Sequence, residues 1–298
     1  MSPKNAAGFS DSLRAAVGDA IGAATGRVFA ARAVMPVGGG DINTAYRLDG
    51  ADGSRYFLKL NIERRLPMFA AEAAGLATLA AARAVRVPAA IAHGCAEGHS
   101  FLVLEYLQLA PRGNARLLGE RLAALHRCTA GRFGFEHDNF IGTTPQANGW
   151  RDNWIDFWRE QRLGPQLRLA AGHGESLRAL GAALLARLAD FFSDYAPPAS
   201  LLHGDLWGGN HAYTADGEPV IFDPAPYYGD RETDLAMTEL FGGYGPDFYA
   251  AYRAAWPLHP GYARRKTLYN LYHILNHANL FGGGYARQAE AMMRTLLD

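Results

Sequence analysis

The stretch from residue 201 to residue 210, which reads LLHGDLWGGN, limits what this chain can fold into more than any other stretch. It places a carboxylate, Asp205, and an amide, Asn210, five residues apart in a glycine-rich setting that is typical of a loop. A second carboxylate, Asp223, ends an apolar run thirteen residues after Asn210, and Pro224 prevents that run from continuing as a central strand. The chain is therefore predicted to combine a polar loop with a carboxylate at a strand end.

These three polar side chains form the set that phosphoryl transfer requires. One carboxylate can accept the proton of an attacking hydroxyl, while an amide oxygen and a second carboxylate hold Mg²⁺ against phosphates. The spacing matches the H-x-D-x-x-x-x-N loop of kinases, although Asp-Pro-Ala stands where Asp-Phe-Gly is usual. We predict Asp205 as the catalytic base and Asn210 and Asp223 as metal ligands. The alternative, that Asp205 and Asn210 only cap turns, is less favoured by the combined arrangement.

Lys59 is one of only three lysines in the chain, so its place in a predicted strand is informative. Strands are predicted at 44–49 and 55–60, joined by a turn that suits a hairpin. The following helix, predicted over 67–83, carries Glu72 on the same side as its apolar stripe. A carboxylate on an inward face needs a cationic partner, so we predict that Lys59 pairs with Glu72 and reaches the phosphates of ATP. A solvated lysine on an edge strand is the alternative.

The three glycines Gly38, Gly39 and Gly40 precede these strands and allow phosphates to approach the backbone closely. Glycine-rich turns are common, and this one indicates a phosphate-binding loop only because it precedes Lys59. The glycines do not form a G-x-x-x-x-G-K-[ST] loop, which argues against a P-loop NTPase.

The chain is predicted to be an α+β protein with two lobes, because a strand-rich first third with one helix precedes a helix-rich remainder. We predict an N-lobe over residues 1–106 and a C-lobe over residues 107–298. At the junction, Glu105, Tyr106 and Leu107 would offer backbone groups to adenine. An ordinary buried strand with an exposed end explains this stretch nearly as well.

Composition excludes several classes of function. The formal net charge is +0, which gives no bulk electrostatic basis for binding nucleic acid or an anionic membrane. Two cysteines do not make a disulfide framework, so a reduced, cytoplasmic protein is expected. No apolar run approaches the ~18 residues needed to cross a bilayer.

The chain resembles the fructosamine kinase (ketosamine-3-kinase) family, which has a bilobal protein-kinase-like fold and is related to aminoglycoside and choline kinases. Trp207, directly after HGDL, separates this family from its relatives better than HGD alone. The stretches that carry the resemblance are 203–210, 223–225, 227–229, Glu232, 234–237 and 241–244, with 140–142, 145–146, Asn148 and 153–157 earlier in the chain.

The resemblance implies ATP-dependent phosphorylation of a sugar hydroxyl on a ketosamine, the adduct of a sugar and an amine, either as a small molecule or on a protein. ATP and Mg²⁺ would be the cofactors. Because Trp207 lies beside the loop of Asp205, it could stack on the sugar, and a tryptophan that only packs the loop explains it about as well. Two positions depart from the family pattern. Asp41 stands where many members have a cysteine, and Asp230 stands where histidine is common, which would alter substrate choice if that position touches substrate.

Three other functions stay open at this point. A kinase of the same fold acting on an aminoglycoside, choline or a related amino alcohol is the closest, and acidic residues along the substrate groove would favour it. A nucleotide-binding pseudokinase is the second, although the complete catalytic set argues against it. A metal hydrolase using His203, Asp205 and Asp223 is the third, and it leaves Lys59 and Glu72 unexplained. His203 itself is predicted to be a buried scaffold that bonds backbone carbonyls.

Overall fold

A five-stranded antiparallel sheet forms the first part of the structure, a computed structural model that describes residues 9–38 and 42–298. The strands lie side by side in the order β1-β2-β3-β5-β4. Their bounds are β1 (Ala31–Val37), β2 (Thr44–Gly50), β3 (Arg55–Ile62), β4 (Ala90–Ala96) and β5 (His99–Glu105). The turn between β2 and β3 is the predicted hairpin turn: Gly53 has a φ of 85°, and Ser54 donates twice to the Asp52 carboxylate.

The sequence pattern also predicts strands at 27–34 and 87–92, and both begin later in the structure. The predicted strand at 27–34 is β1, whose pairing with β2 starts only at Ala31. Residues 27–30 instead connect it to helix α1 (Asp11–Thr25), which ends at the left-handed Gly26. The predicted strand at 87–92 is β4, which follows Pro88, a residue without a backbone N–H for a ladder.

The helix predicted over 67–83 is α2 (Leu66–Ala81), with Pro67 in its first turn. It buries Phe69, Leu76 and Leu79. Gly75 lies so close to Pro226 that an added Cβ would come within 2.9 Å of the proline ring. This contact fixes α2 against the segment that follows Asp223.

The remaining part is mainly helical and carries short strands. The helices are α3 (Ala115–His126), α4 (Trp154–Phe157), α5 (Gly164–Leu169), α6 (Glu175–Ala186), α7 (Glu232–Leu240), α8 (Pro246–Ala255), α9 (Tyr262–Phe281) and α10 (Tyr285–Leu297). Single turns of other helix types cover Glu63–Arg65, Trp158–Leu163, Ala170–His173 and Leu188–Phe192. The strands are β6 (Leu109–Ala110), β7 (Thr129–Ala130), β8 (Asn139–Ile141), β9 (Thr144–Gln146), β10 (Ala199–Leu202), β11 (His211–Thr214), β12 (Pro219–Ile221) and β13 (Tyr227–Gly229).

The short strands place the catalytic segments. Two small sheets, β13-β10-β7 and β12-β11-β6, frame the loop from 203 to 210, since β10 leads into it and β11 leaves it. The sequence pattern also predicts short strands near 211–214 and 219–222, and these correspond to β11 and β12. This sheet part and helical part confirm the predicted α+β, two-part fold.

Three apolar cores hold these elements together. The first joins α1 to the sheet, and the third lies among the helices of the last half. The second contains α2 and β5 side chains together with side chains of α3 and α8, so it crosses the lobe boundary predicted between residues 106 and 107. That boundary stays a prediction. Within the described ranges, no helix has the length and apolar character required to cross a bilayer.

Candidate active site

A cavity of about 980 Å³ lies between the sheet and the helical part. Every predicted site residue that the structure describes lines it. These are Gly38, Lys59, Glu72, Glu105, Tyr106, Leu107, Asp205, Trp207, Asn210 and Asp223. Gly39 and Gly40, predicted to contact phosphates, lie outside the described residues, as does Asp41.

Lys59 joins the two halves of the cavity. Its Nζ donates to Glu72 Oε1 at 2.6 Å, as the helix and strand periodicity predicted, and to Asp223 Oδ1, also at 2.6 Å. Burial alone would lower the pKa of Lys59, but the carboxylates of Asp223 and Glu72 outweigh it, so its pKa is raised. Lys59 is therefore a buried cation held between two carboxylates.

The Lys59–Asp223 contact was not predicted, because its partners are 164 residues apart and no local pattern connects them. Register places Lys59 in the middle of the sheet, opposite Ala45 on β2 and Leu102 on β5. The pairing of β3 with its two neighbours therefore fixes the position of the Lys59 side chain in the sheet.

The catalytic loop holds Asp205 and Asn210 in contact. Asn210 Nδ2 donates to the backbone carbonyl of Asp205 at 2.8 Å and to its carboxylate at 3.2 Å. Burial raises the pKa of Asp205 to about 7, assisted by the charges of Asp223 and Asp234 and opposed by the Asn210 hydrogen bond. A carboxylate with a pKa near neutrality is suited to proton transfer at physiological pH.

His203 is a buried scaffold for this loop, as predicted. Its ring is buried, and burial lowers its pKa. Nε2–H donates to the carbonyl of Phe222 at 3.0 Å, while Nδ1 accepts the backbone N–H of Asp205 at 3.2 Å. Both ring nitrogens are therefore occupied by the backbone, which leaves none for the base of a hydrolase.

Asp234, on α7, fixes the start of the same loop. Its carboxylate accepts the backbone N–H groups of His203 at 2.7 Å and Gly204 at 2.9 Å. Gly204 has a φ of 83°, and an added Cβ would lie 2.0 Å from the carbonyl oxygen of Ala225. Only glycine fits there, which explains the glycine before Asp205, the predicted catalytic base.

Asp223 has a strained backbone, with a φ of 57° that non-glycine residues seldom adopt. The neighbouring Phe222 N–H donates to the Asn210 carbonyl at 3.1 Å. This bond brings the two predicted metal ligands together, and the Asp223 side chain is 45% exposed towards the cavity.

This donor set fits Mg²⁺. One carboxylate and one amide oxygen are hard ligands, and Mg²⁺ is usually bound by one or two carboxylates together with water and substrate phosphates. In the described part of the chain, no three His, Cys, Asp or Glu side chains form a metal cluster, so the predicted site depends on nucleotide phosphates for its remaining ligands. The roles of Asn210 and Asp223 stay predictions.

The opposite end of the cavity has the character of an adenine pocket. Val37, Ala45, Leu104 and Ala212 line it together with Tyr106 and Leu107. The Glu105 backbone N–H already donates to Ala89, and its carboxylate contacts Arg86 at 2.9 Å. Among the three predicted hinge residues, Tyr106 and Leu107 are therefore the better candidates for adenine.

The sequence analysis assigned no site role to several other lining residues, which come from distant segments. They are Asn139, Phe140, Phe241, His273, Asn276, His277, Phe281 and Tyr285. His273 is the most buried of the histidines among them. Burial lowers its pKa to about 3, so it contributes a neutral imidazole to the cavity wall.

Asp230 does not line the cavity, so its departure from the family pattern does not bear directly on substrate contact. It is fully buried and accepts from Tyr195 at 2.9 Å and from Tyr269 at 2.5 Å. Glu232, itself paired with Arg265 at 2.7 Å, lies nearby. Burial and the charge of Glu232 raise the pKa of Asp230 from 3.8 to about 6.

This raised pKa predicts a pH-dependent stability. The pKa of Asp230 is higher in the folded protein than in the unfolded one. Protonated Asp230 therefore contributes its full stability to the fold below about pH 4, and this stability is lost as pH rises through 6. Relative to Asp230→Asn, the free energy of unfolding of the parent should fall by up to about 3 kcal/mol between these values. Urea unfolding of both proteins across pH 4 to 8 measures the difference, and a flat difference would contradict the assignment.

Comparisons with known proteins by family model, by sequence and by structure indicate the same family. The family model for fructosamine kinase matches residues 14–298. A probable ketoamine kinase of Synechocystis is 49% identical over 278 residues, covering 92% of this chain and 93% of the relative. A chloroplastic protein-ribulosamine 3-kinase of Arabidopsis thaliana is 43% identical, covering 86% and 80%. The crystal structure of a fructosamine-3-kinase candidate from Haemophilus somnus superposes with a TM-score of 0.86 at 29% identity, covering 95% and 97%.

Proposed function

The chain belongs to the fructosamine kinase family, and we propose that it transfers the γ-phosphoryl group of ATP to a sugar hydroxyl of a ketosamine. The observation that carries this proposal is the convergence of Lys59, Glu72, Asp205, Asn210 and Asp223 on one cavity. Its fold is protein-kinase-like, and its closely similar relatives are named as ketoamine and ribulosamine kinases.

In the proposed reaction, the sugar hydroxyl oxygen attacks the γ-phosphorus and the bond to the bridging oxygen of ADP breaks. Asp205 accepts the proton that the hydroxyl loses, and Asn210 holds the Asp205 carboxylate in place. Lys59, positioned by Glu72, contacts the α- and β-phosphates. Trp207 is proposed to pack against the sugar.

Mg²⁺ would be held by Asn210 and Asp223, where it would neutralise charge on the phosphates. The strained backbone of Asp223 and the Phe222–Asn210 hydrogen bond keep these ligands in position before nucleotide binds. Lys59 Nζ is close enough to Asp223 to hold its carboxylate until then.

The cavity disfavours an aminoglycoside as acceptor. A polycationic substrate needs carboxylates, and the described lining contains only Glu72, Glu105, Asp205 and Asp223. Lys59 binds two of these, Arg86 binds Glu105, and Asp205 is the proposed base. Within the part of the lining that the structure describes, no carboxylate is therefore left for a second amine of the substrate.

An acceptor panel tests the function. With ATP and Mg²⁺, we expect ADP release with fructosyl-, ribulosyl- and erythrulosyl-amines, at a kcat/KM at least about 100-fold above that for aminoglycosides or choline. The reason is that an alcohol is phosphorylated only when it reaches Asp205 in the correct orientation. If an aminoglycoside or choline is phosphorylated and no ketosamine is, the rival function replaces this one. ATP binding without turnover of any acceptor would indicate a pseudokinase.

Two finer points accompany the proposal. The Arabidopsis relative is named for a protein-linked substrate, so a ribulosylated protein belongs in the panel beside small adducts. A cytoplasmic location is also proposed, from the two free thiols Cys95 and Cys128.

A further inference from the structure

Aromatic rings extend in a row from the catalytic loop to the mouth of the cavity. The ring of Trp207 lies 6.3 Å from that of Phe241, which lies 5.0 Å from the imidazole of His277. His277 lies 5.6 Å from Phe281 and 5.2 Å from Tyr285. We call Phe241, His277, Phe281 and Tyr285 the aromatic rim, and all four line the same cavity as Asp205.

The rim leaves apolar surface in contact with solvent. Phe241 is 37% exposed and Phe281 is 55% exposed, although burying such rings is favourable. Phe281 is the last residue of α9, which ends at Gly282, whose φ of 66° favours glycine, so its ring is presented from a fixed helix end. Exposed apolar surface beside a catalytic cavity is typical of a ligand contact.

The rim contains no carboxylate, lysine or arginine. Four carboxylates are among the described lining residues. Glu72 and Asp223 belong to the predicted phosphate region and Glu105 to the predicted hinge. Only Asp205 lies on the segment that starts the row. Beside their rings, the rim segments contribute Met237, Leu280 and the amide of Asn276 to the wall. This chemistry suits an apolar group better than a charged or strongly hydrated one.

We propose that the aromatic rim binds the amine substituent of the ketosamine and favours adducts whose amine carries an aromatic or aliphatic group. The inference rests on the proposed function. With a sugar hydroxyl at Asp205 and the sugar beside Trp207, the row of rings leads from the sugar to the mouth of the cavity. The substituent on the amine follows this row and covers the exposed faces of Phe241 and Phe281.

Two adducts of one sugar test this subsite. With fructosyl-phenethylamine and fructosyl-ethanolamine, we expect a kcat/KM about tenfold higher for the aromatic adduct, because its ring is removed from water on the rim. Phe241→Ala and Phe281→Ala should each lower the ratio of the two values to about two or less. Initial rates of ADP release at saturating ATP measure the ratio for each protein.

Leu169→Ala is the matched control, since Leu169 is 58% exposed but does not line the cavity, and it should leave the ratio unchanged. Equal kcat/KM values for both adducts in the parent, or an unchanged ratio in both Phe variants, would overturn the rim inference while the proposed function stands. If neither these adducts nor any ribulosyl- or erythrulosyl-amine of the acceptor panel is turned over, the proposed function and this inference fail together.

Discussion

Replacing Asp205 with asparagine is expected to lower kcat by about 10²- to 10⁴-fold while the dissociation constant for ATP stays within about twofold. The substitution keeps the shape of the side chain and an oxygen that can accept from Asn210, which donates to the carboxylate at 3.2 Å in the parent. It removes the group that takes the proton of the attacking hydroxyl. Steady-state turnover of a ketosamine and equilibrium binding of ATP measure the two effects separately.

The structure explains why nucleotide binding should survive this change. Asp205 contacts Asn210, whereas Lys59 bonds Glu72 and Asp223, so the phosphate-binding cation has no direct bond to the base. Asp152→Asn is a matched control, because the Asp152 side chain is 84% exposed and does not line the cavity. A fully active Asp205→Asn enzyme would remove Asp205 from the role of base and leave the fold assignment intact.

Local patterns in the sequence predicted much of the site. The five-residue spacing of Asp205 and Asn210 is a loop property, and the structure places these two side chains in contact. The periodicity of α2 placed Glu72 on the inward face, where it meets Lys59. In both cases, one or two adjacent elements determine the geometry.

Long-range contacts were not predictable in this way. The Lys59–Asp223 bond depends on how the sheet part packs on the helical part, and the close approach of Gly75 to Pro226 fixes that packing. The aromatic rim is likewise assembled from the end of α7, α9 and the start of α10. Spacing along the chain predicts none of these arrangements, since each depends on how elements distant in sequence pack together.

Asp230 illustrates a further limit. A difference from the family pattern drew attention to this residue as a possible determinant of substrate choice, but its side chain is buried against Tyr195 and Tyr269. A sequence identifies a position that differs, whereas burial and hydrogen-bond partners decide whether the difference concerns binding or stability.

Lys59→Met is expected to have two separable effects. It removes the cation that contacts the phosphates, so kcat/KM for ATP should fall by about 10²- to 10³-fold. It also leaves Glu72 without its partner in a site where the side chains of Lys59 and Glu72 are only 7% and 14% exposed. Breaking a buried ion pair in this way should cost about 3 kcal/mol of stability.

The double variant Lys59→Met/Glu72→Gln distinguishes the two effects, because it removes the buried charge that the single variant leaves unpaired. We expect urea unfolding to show most of the lost stability restored, while turnover and ATP affinity stay low. Lys266→Met is the matched control: Lys266 pairs with Glu239 at the same 2.6 Å, but outside the cavity, where the two side chains are 35% and 25% exposed. Its pair should contribute at most about 1 kcal/mol and nothing to ATP affinity. Recovery of activity together with stability in the double variant would show that Lys59 acts through folding alone, and the phosphate-binding role would have to be abandoned.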